Sequence, residues 1–261
     1  MRFVTGPTPP PHDRIKPVKD SRKSTSLAGI WFGLTMLVMA YGFYQAMVAP
    51  KEATMGNLYR VFFYHFPHTI LSFIFPYINC VASLLFIFWR QSKPELAAKA
   101  DAWAVASAEI TVVYSTVGLA TGMLWGRAAW GIWWAWDARL TTYLLLWLLY
   151  VSYMMLRSFA AGGQTAMVAS VLGVFAAIDV PICYMSIHWW RTQHPAPVFG
   201  GGDGSGIDKS MAAAVLWNVA AFLMWGIFIL GWRYALERRR QHQDNLATEA
   251  MLRGDIGSEN A

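Results

Sequence analysis

The sequence predicts an all-α polytopic membrane protein with six transmembrane helices and both termini in the cytoplasm. Three observations carry that expectation. The 261 residues are 56% hydrophobic and only 14% charged, where soluble domains carry roughly a quarter charged residues. Six apolar runs, at about 27–48, 67–89, 101–123, 140–158, 165–187 and 210–232, approach or exceed the ~20 residues needed to cross a bilayer as a helix. The lysines and arginines, finally, divide unevenly between alternate loops, and basic residues resist translocation.

Residues 1–26 are polar, with prolines at 7, 9, 10, 11 and 17, and read as a disordered cytoplasmic tail. The first run, 27–48, is too long for the apolar region of a cleavable signal and lacks a small-residue cleavage site, so it reads as a retained anchor. The tail holds Arg2, Arg14, Lys16, Lys19, Arg22 and Lys23. Arg90, Lys93 and Lys99 follow the second run, Arg157 the fourth, and Arg233, Arg238, Arg239, Arg240 and Arg253 the sixth. The other three loops share Lys51, Arg60, Arg127, Arg139, Arg191 and Lys209. Residues 27–232 thus form one six-helix domain, since lipid tolerates only helices or closed barrels, and 233–261 form a second cytoplasmic tail.

Topology accounts for the net charge of +6, so it gives no support for nucleic-acid binding. Cys80 and Cys183 both lie inside apolar runs, without CxxC or CxxCH spacing; thiol exchange and covalent c-type haem attachment are excluded. No Gly-rich loop follows a strand, which argues against an ATPase site on this chain.

Polar chemistry collects in the outer loops. "NLYRVFFYHFPHT" leads into the second run with His65 and His68, and "IHWWRTQHPAPVFGGGDGSG" follows the fifth with His188 and His194. Between them, "WGRAAWGIWWAWDARLTT" (125–142) holds Trp125, Trp130, Trp133, Trp134 and Trp136, then Asp137. Single tryptophans belong to interfacial belts, but five in twelve positions do not. In a helical segment Trp130, Trp133, Trp134 and Asp137 would share one face at i, i+3, i+4 and i+7, a platform suited to a flat apolar ligand. Imidazole is the standard neutral ligand of haem iron, and two histidines from separate loops could hold one iron from both faces. Zinc would accept four histidines, but tryptophan walls serve it no purpose. Arg127 and Arg139 suit either a helix-end salt bridge with Asp137 or the carboxylates of a ligand, which guanidinium grips in bidentate fashion. Glu109 and Asp179, inside the third and fifth runs, should face the bundle interior and find partners, and Pro181 should bend the fifth run.

The segment "TGMLWGRAAWGIWWAWDARLTTYLLL" resembles the WWD motif of the haem-handling proteins of cytochrome c maturation. With "YRVFFYHFPH" and "DVPICYMSIHWWRTQHP", in that order on a six-span chain, it resembles the haem exporter protein C family over residues 27–232. Three positions depart from that family's pattern: Ala128 stands for a usual Pro, Gln193 for Leu and His188 for Glu. The resemblance implies two haem-iron ligands, at His65 and His194. It implies a protein of the bacterial inner membrane that is not an enzyme. Such a protein would hold haem b non-covalently, in transit, at the periplasmic face. It would pass the haem to the haem chaperone CcmE for cytochrome c-type biogenesis, alongside the ATP-binding cassette pair CcmA and CcmB and the small subunit CcmD. Two rivals remain open. A b-type cytochrome subunit of a quinone oxidoreductase would use histidines within the helices, and no span interior is expected to contain one. A haem permease would need a polar or small lining across the midplane.

Overall fold

The computed structural model describes residues 21–159, 164–196, 198 and 206–258. Residues 1–20, most of the expected N-terminal tail, and the Gly-rich run 199–205 lie outside them. The described chain is helical, without strands: α1 (Ser21–Val48), α2 (Phe62–Trp89), α3 (Pro94–Trp130), α4 (Ala138–Phe159), α5 (Thr165–Ala177), α6 (Asp179–Trp189) and α7 (Ala212–Ser258). With α5 and α6 forming one interrupted segment, these make six helices long and apolar enough to span a membrane.

The helices overrun the apolar runs that announce them. The segment α1 begins at Ser21, so the last residues of the expected tail are helical, and α7 continues to Ser258, through most of the expected C-terminal tail. A 3-10 turn, Asn57–Val61, leads directly into α2. Pro67 and Pro76 sit inside that helix, where each removes an N–H donor and crowds the carbonyl one turn back, yet the helix begins at Phe62, five residues before the apolar run. His65 and His68 are therefore helical residues. That corrects the expectation that they belong to the loop leading into the second span. The fifth segment breaks at Ile178, between α5 and α6. Pro181 follows three residues later and cannot donate to the Ala177 carbonyl one turn back, so the interruption has the cause the sequence suggested.

Packing rests on small residues and internal hydrogen bonds, since lipid offers no hydrophobic drive between helices. The α2 helix packs along α3, with α5 also against it, while α1 lies on α7. On α3, Ala97, Ala100, Ala104 and Ala108 are buried at helical spacing, bringing the backbones close enough for Asn79 Nδ2 to donate to the Ala104 carbonyl at 2.7 Å. Between α7 and α1, Asn218 donates to the Gly42 carbonyl at 2.9 Å. Tyr143, Leu146, Tyr150 and Tyr153 of α4 fill the centre with Phe73 and Cys183.

Charge is concentrated at the end of the bundle where α3 begins. Asp101 takes both Arg157 nitrogens, at 3.0 and 2.9 Å, and the Gln241 amide at 3.0 Å. Glu237, nearly buried, lies 3.6 Å from the same guanidinium. Buried charges are tolerated when paired in this way. Glu109 finds its expected partner in Arg233 of α7. Asp179 differs: it is 6% exposed and its Oδ2 has no hydrogen-bond partner among the described residues. Its position in the first turn of α6 places the carboxylate at the positive end of that helix.

Candidate functional site

At the opposite end, α3 carries three glycines one turn apart: Gly118, Gly122 and Gly126. They open a face of the helix on which other residues lie. A Cβ on Gly118 would fall 3.1 Å from Tyr143 Cζ and 3.3 Å from Thr69 Oγ1; one on Gly122 would fall 3.1 Å from His65 Cε1; one on Gly126 would fall 3.2 Å from the Trp130 ring. The His65 imidazole thus lies against bare backbone. Its Nδ1 donates to the Gly118 carbonyl at 3.1 Å, with Thr121 Oγ1 equally near. That bond fixes the neutral tautomer in which Nε2 carries the free lone pair, the arrangement a histidine ligand needs.

Beyond Trp130 the helical reading of the tryptophan segment fails. Gly131 adopts φ +74°, a left-handed cap whose N–H returns to Arg127, and residues 131–137 run without helix until α4 begins at Ala138. A left-handed glycine ends a helix because it alone adopts that conformation without a steric cost. The expected common face of Trp130, Trp133, Trp134 and Asp137 is therefore absent. Trp125, Trp130 and Trp134 turn inward, whereas Trp133 and Trp136 are 56% and 77% exposed. Trp125 meets Trp130 edge-on at 5.3 Å. The indole N–H groups of Trp125 and Trp134 are buried without an acceptor among the described residues.

Two adjoining lobes result, which share part of their lining. The first lies between the end of α3, the inward indoles and the start of α4; the second lies between α2, Tyr184 of α6 and the residues His194, Pro195, Ala196 and Val198. His65, Thr69, Trp125, Arg139 and His194 line both. The two histidines therefore stand where the lobes meet, one from a helix and one from a loop.

His194 repeats the ring arrangement of His65. Its Nδ1 donates to the Pro195 carbonyl at 2.9 Å, leaving Nε2 free. Burial, then the positive charge of Arg139, pushes its imidazole down to about 4 from the ordinary value near 6.5, so the ring is neutral at physiological pH. His68 and His188 stand apart. His68 bonds the Tyr64 carbonyl at 2.7 Å and packs on Phe222 of α7 at 4.2 Å; His188 is exposed at the end of α6. Among the described residues no three His, Cys, Asp or Glu side chains cluster as a metal site, so the four-histidine zinc arrangement is not formed.

The two arginines also separate. Arg127 is exposed, donates to the Gly131 carbonyl that follows its own helix and lies over the Trp133 ring at 6.0 Å. Arg139 is 8% exposed, donates to the Cys183 carbonyl at 2.5 Å and stands over the Phe73 ring at 5.2 Å. No carboxylate among the described residues pairs with it. Neither arginine bridges to Asp137, so the salt-bridge alternative falls away, and only Arg139 offers a buried, unneutralised cation to a ligand.

Asp137 holds the histidine loop. One carboxylate oxygen accepts the Leu140 N–H at 2.8 Å and so caps α4. The other accepts the Thr192 hydroxyl at 2.6 Å and the Gln193 N–H at 3.2 Å. Thr192 Oγ1 in turn accepts the His194 N–H at 3.0 Å. Sequence reasoning missed Thr192, Thr69, Tyr143 and the glycine stripe. The stripe was visible as a glycine at every fourth position in "GLATGMLWG"; Thr69 and Tyr143 left no signal.

Comparison with known proteins identifies the family. The family profile described as Heme exporter protein C matches residues 12–248. The chain is 38% identical over 192 residues to the "Heme exporter protein C" of Bradyrhizobium diazoefficiens, covering 73% of this chain and 70% of the relative. It is 28% identical over 228 residues to the "Heme exporter protein C" of Haemophilus influenzae, covering 87% and 90%. A "Putative cytochrome c biosynthesis ccmC-like mitochondrial protein" of Marchantia polymorpha is 29% identical over 214 residues, covering 82% of this chain and 87% of the relative.

Proposed function

The chain belongs to the haem exporter protein C family, and from that premise we propose that it takes haem as cargo between His65 and His194 and delivers it to a soluble chaperone. The observation that carries the reading is the junction of the two lobes. There two imidazoles, each with Nδ1 bonded to a carbonyl, leave Nε2 free over a common cavity. Two neutral nitrogens of this kind ligate a haem iron from its two faces.

The surroundings suit that cargo. Flat apolar walls of Trp125, Trp130 and Trp134 match a flat ring, and Arg139 sits unneutralised among them to meet a propionate carboxylate. The two buried indole N–H groups without acceptors each carry a cost of about 1–3 kcal/mol, which an acceptor on the ligand would relieve. Nothing covalent is implied, because neither cysteine is placed for thioether attachment, so the haem is haem b in transit. The chain acts as a carrier in haem export for cytochrome c biogenesis rather than as an enzyme.

Membrane orientation follows the basic residues. With both termini in the cytoplasm, the site end of the bundle faces the periplasm across the bacterial inner membrane. The exposed Trp133 and Trp136 then flank the cavity on the side from which the chaperone CcmE approaches, with CcmA, CcmB and CcmD assembling around the membrane domain. The rival reading as an electron-transfer cytochrome subunit would need a second haem towards the opposite face. Of the described histidines only His242 lies on that side, exposed on α7, while His65 and His68 both stand in the first turns of α2. Co-purification with CcmE, with haem measured in both proteins, tests the delivery reading: haem must pass from this chain to the chaperone.

A further inference from the structure

The two histidines are held by different means. His65 is fixed on α2, its ring seated on the glycine stripe of α3. His194 lies beyond α6 in a non-helical segment, and among the described residues its ring bonds only the carbonyl of the next residue. What ties that segment to the bundle is Asp137, through Thr192 and Gln193.

We infer that Asp137 and Thr192 are positioning residues for His194, and that His194, tied to the bundle through this clasp, is the haem ligand that dissociates first. The inference rests on the reading of His65 and His194 as haem ligands. The geometry is specific to the pair. A single carboxylate uses one oxygen to start α4 and the other to grip the loop, so the tryptophan segment and the histidine loop share one anchor. Thr192 serves as a relay, its hydroxyl donating to Asp137 and accepting the N–H of His194. A strained or opened clasp frees the loop without disturbing His65. The haem would then remain attached through one ligand, with its other face released towards Trp133, Trp136 and the bulk.

Two substitutions test this without removing the α4 cap. Thr192→Val deletes the relay and leaves Asp137 intact; Asp137→Asn keeps a side chain that still caps helices well but loses the charge that accepts two loop donors. Thr192→Ser is the conservative rescue. In the haem-free protein, amide exchange at Gln193 and His194 should accelerate at least tenfold in T192V and D137N and stay at the wild-type rate in T192S. In the loaded, reduced protein, carbon monoxide association, which waits on loss of one axial ligand, should quicken at least tenfold in the same two variants. Exogenous imidazole should restore their six-coordinate spectrum. A T192V protein with wild-type amide protection and a wild-type carbon monoxide rate overturns the inference. Wild-type protein that takes up no haem would instead overturn the ligand reading, while the amide measurement still decides the clasp.

Discussion

Gly118 lies directly beneath the Tyr143 hydroxyl, in a gap that no side chain could share: a Cβ there would come 3.1 Å from Tyr143 Cζ and closer still to the hydroxyl oxygen. Tyr143 also bonds Ser72 at 2.9 Å, so it cannot swing aside without breaking a buried contact. Gly118→Ala should therefore destabilise the protein by about 1–3 kcal/mol, the usual cost of overpacking, and disturb the seat of His65 one turn away. Gly231, which has open space around the equivalent position, should accept alanine with no loss, because alanine is the better helix former. Thermal unfolding of the two variants in detergent checks the contrast.

Gly122→Ala should act on the ligand rather than on the fold. Its Cβ would press on His65 Cε1 at 3.1 Å, rotating the ring off its bond to the Gly118 carbonyl. Membrane abundance should stay near wild type while haem per protein falls. Equal loss of both quantities would mean that the stripe serves packing alone.

Arg139 and Arg127 should behave differently towards the ligand's carboxylates. A charge-assisted hydrogen bond is worth about 1.5–3 kcal/mol, so Arg139→Gln should weaken haem binding by roughly ten- to a hundredfold. It should have little effect on haem dimethyl ester, which carries no carboxylate. Arg127→Gln should leave both affinities unchanged. Equal weakening of haem and its ester by Arg139→Gln would assign that residue to packing against Phe73 and the Cys183 carbonyl.

The tryptophans should divide along the line that Gly131 draws. Burial of a large apolar side chain is worth about 1.5–3 kcal/mol, so alanine at Trp125, Trp130 and Trp134 together should cut haem occupancy by orders of magnitude. Alanine at the exposed Trp133 and Trp136 should spare haem content and reduce co-purification of CcmE. Haem per protein and chaperone recovery, measured on the same preparations, separate the two groups.

The frame of this molecule was legible because membrane helices announce themselves by length and apolarity, and six were expected and found. Their ends were less so. Apolarity marks where lipid begins, whereas α2, α3 and α7 continue past it, stabilised by their own backbone bonds and neighbours. The clearest miss follows from one residue. Gly131 looked like part of a periodic aromatic run, but its left-handed conformation ends α3 and sends Trp133 and Trp136 outward. Spacing alone could not separate Arg139 from Arg127 either, since their difference is burial created by α2 and α6. Asp137 was legible as a residue and not as a clasp, because its partners Thr192 and Gln193 lie more than fifty positions away.

The most direct test of the central claim is the optical and electron paramagnetic resonance spectrum of the haem-loaded, detergent-purified protein and its single histidine variants. The account predicts a six-coordinate, low-spin, bis-imidazole spectrum for wild type and for His68→Ala and His188→Ala. It predicts loss of that spectrum, with weakened haem retention, for His65→Ala and His194→Ala, and near-complete loss of haem in the double variant. A low-spin spectrum that survives His194→Ala and disappears in His188→Ala would contradict the assignment, and wild-type protein without bound haem would contradict the site.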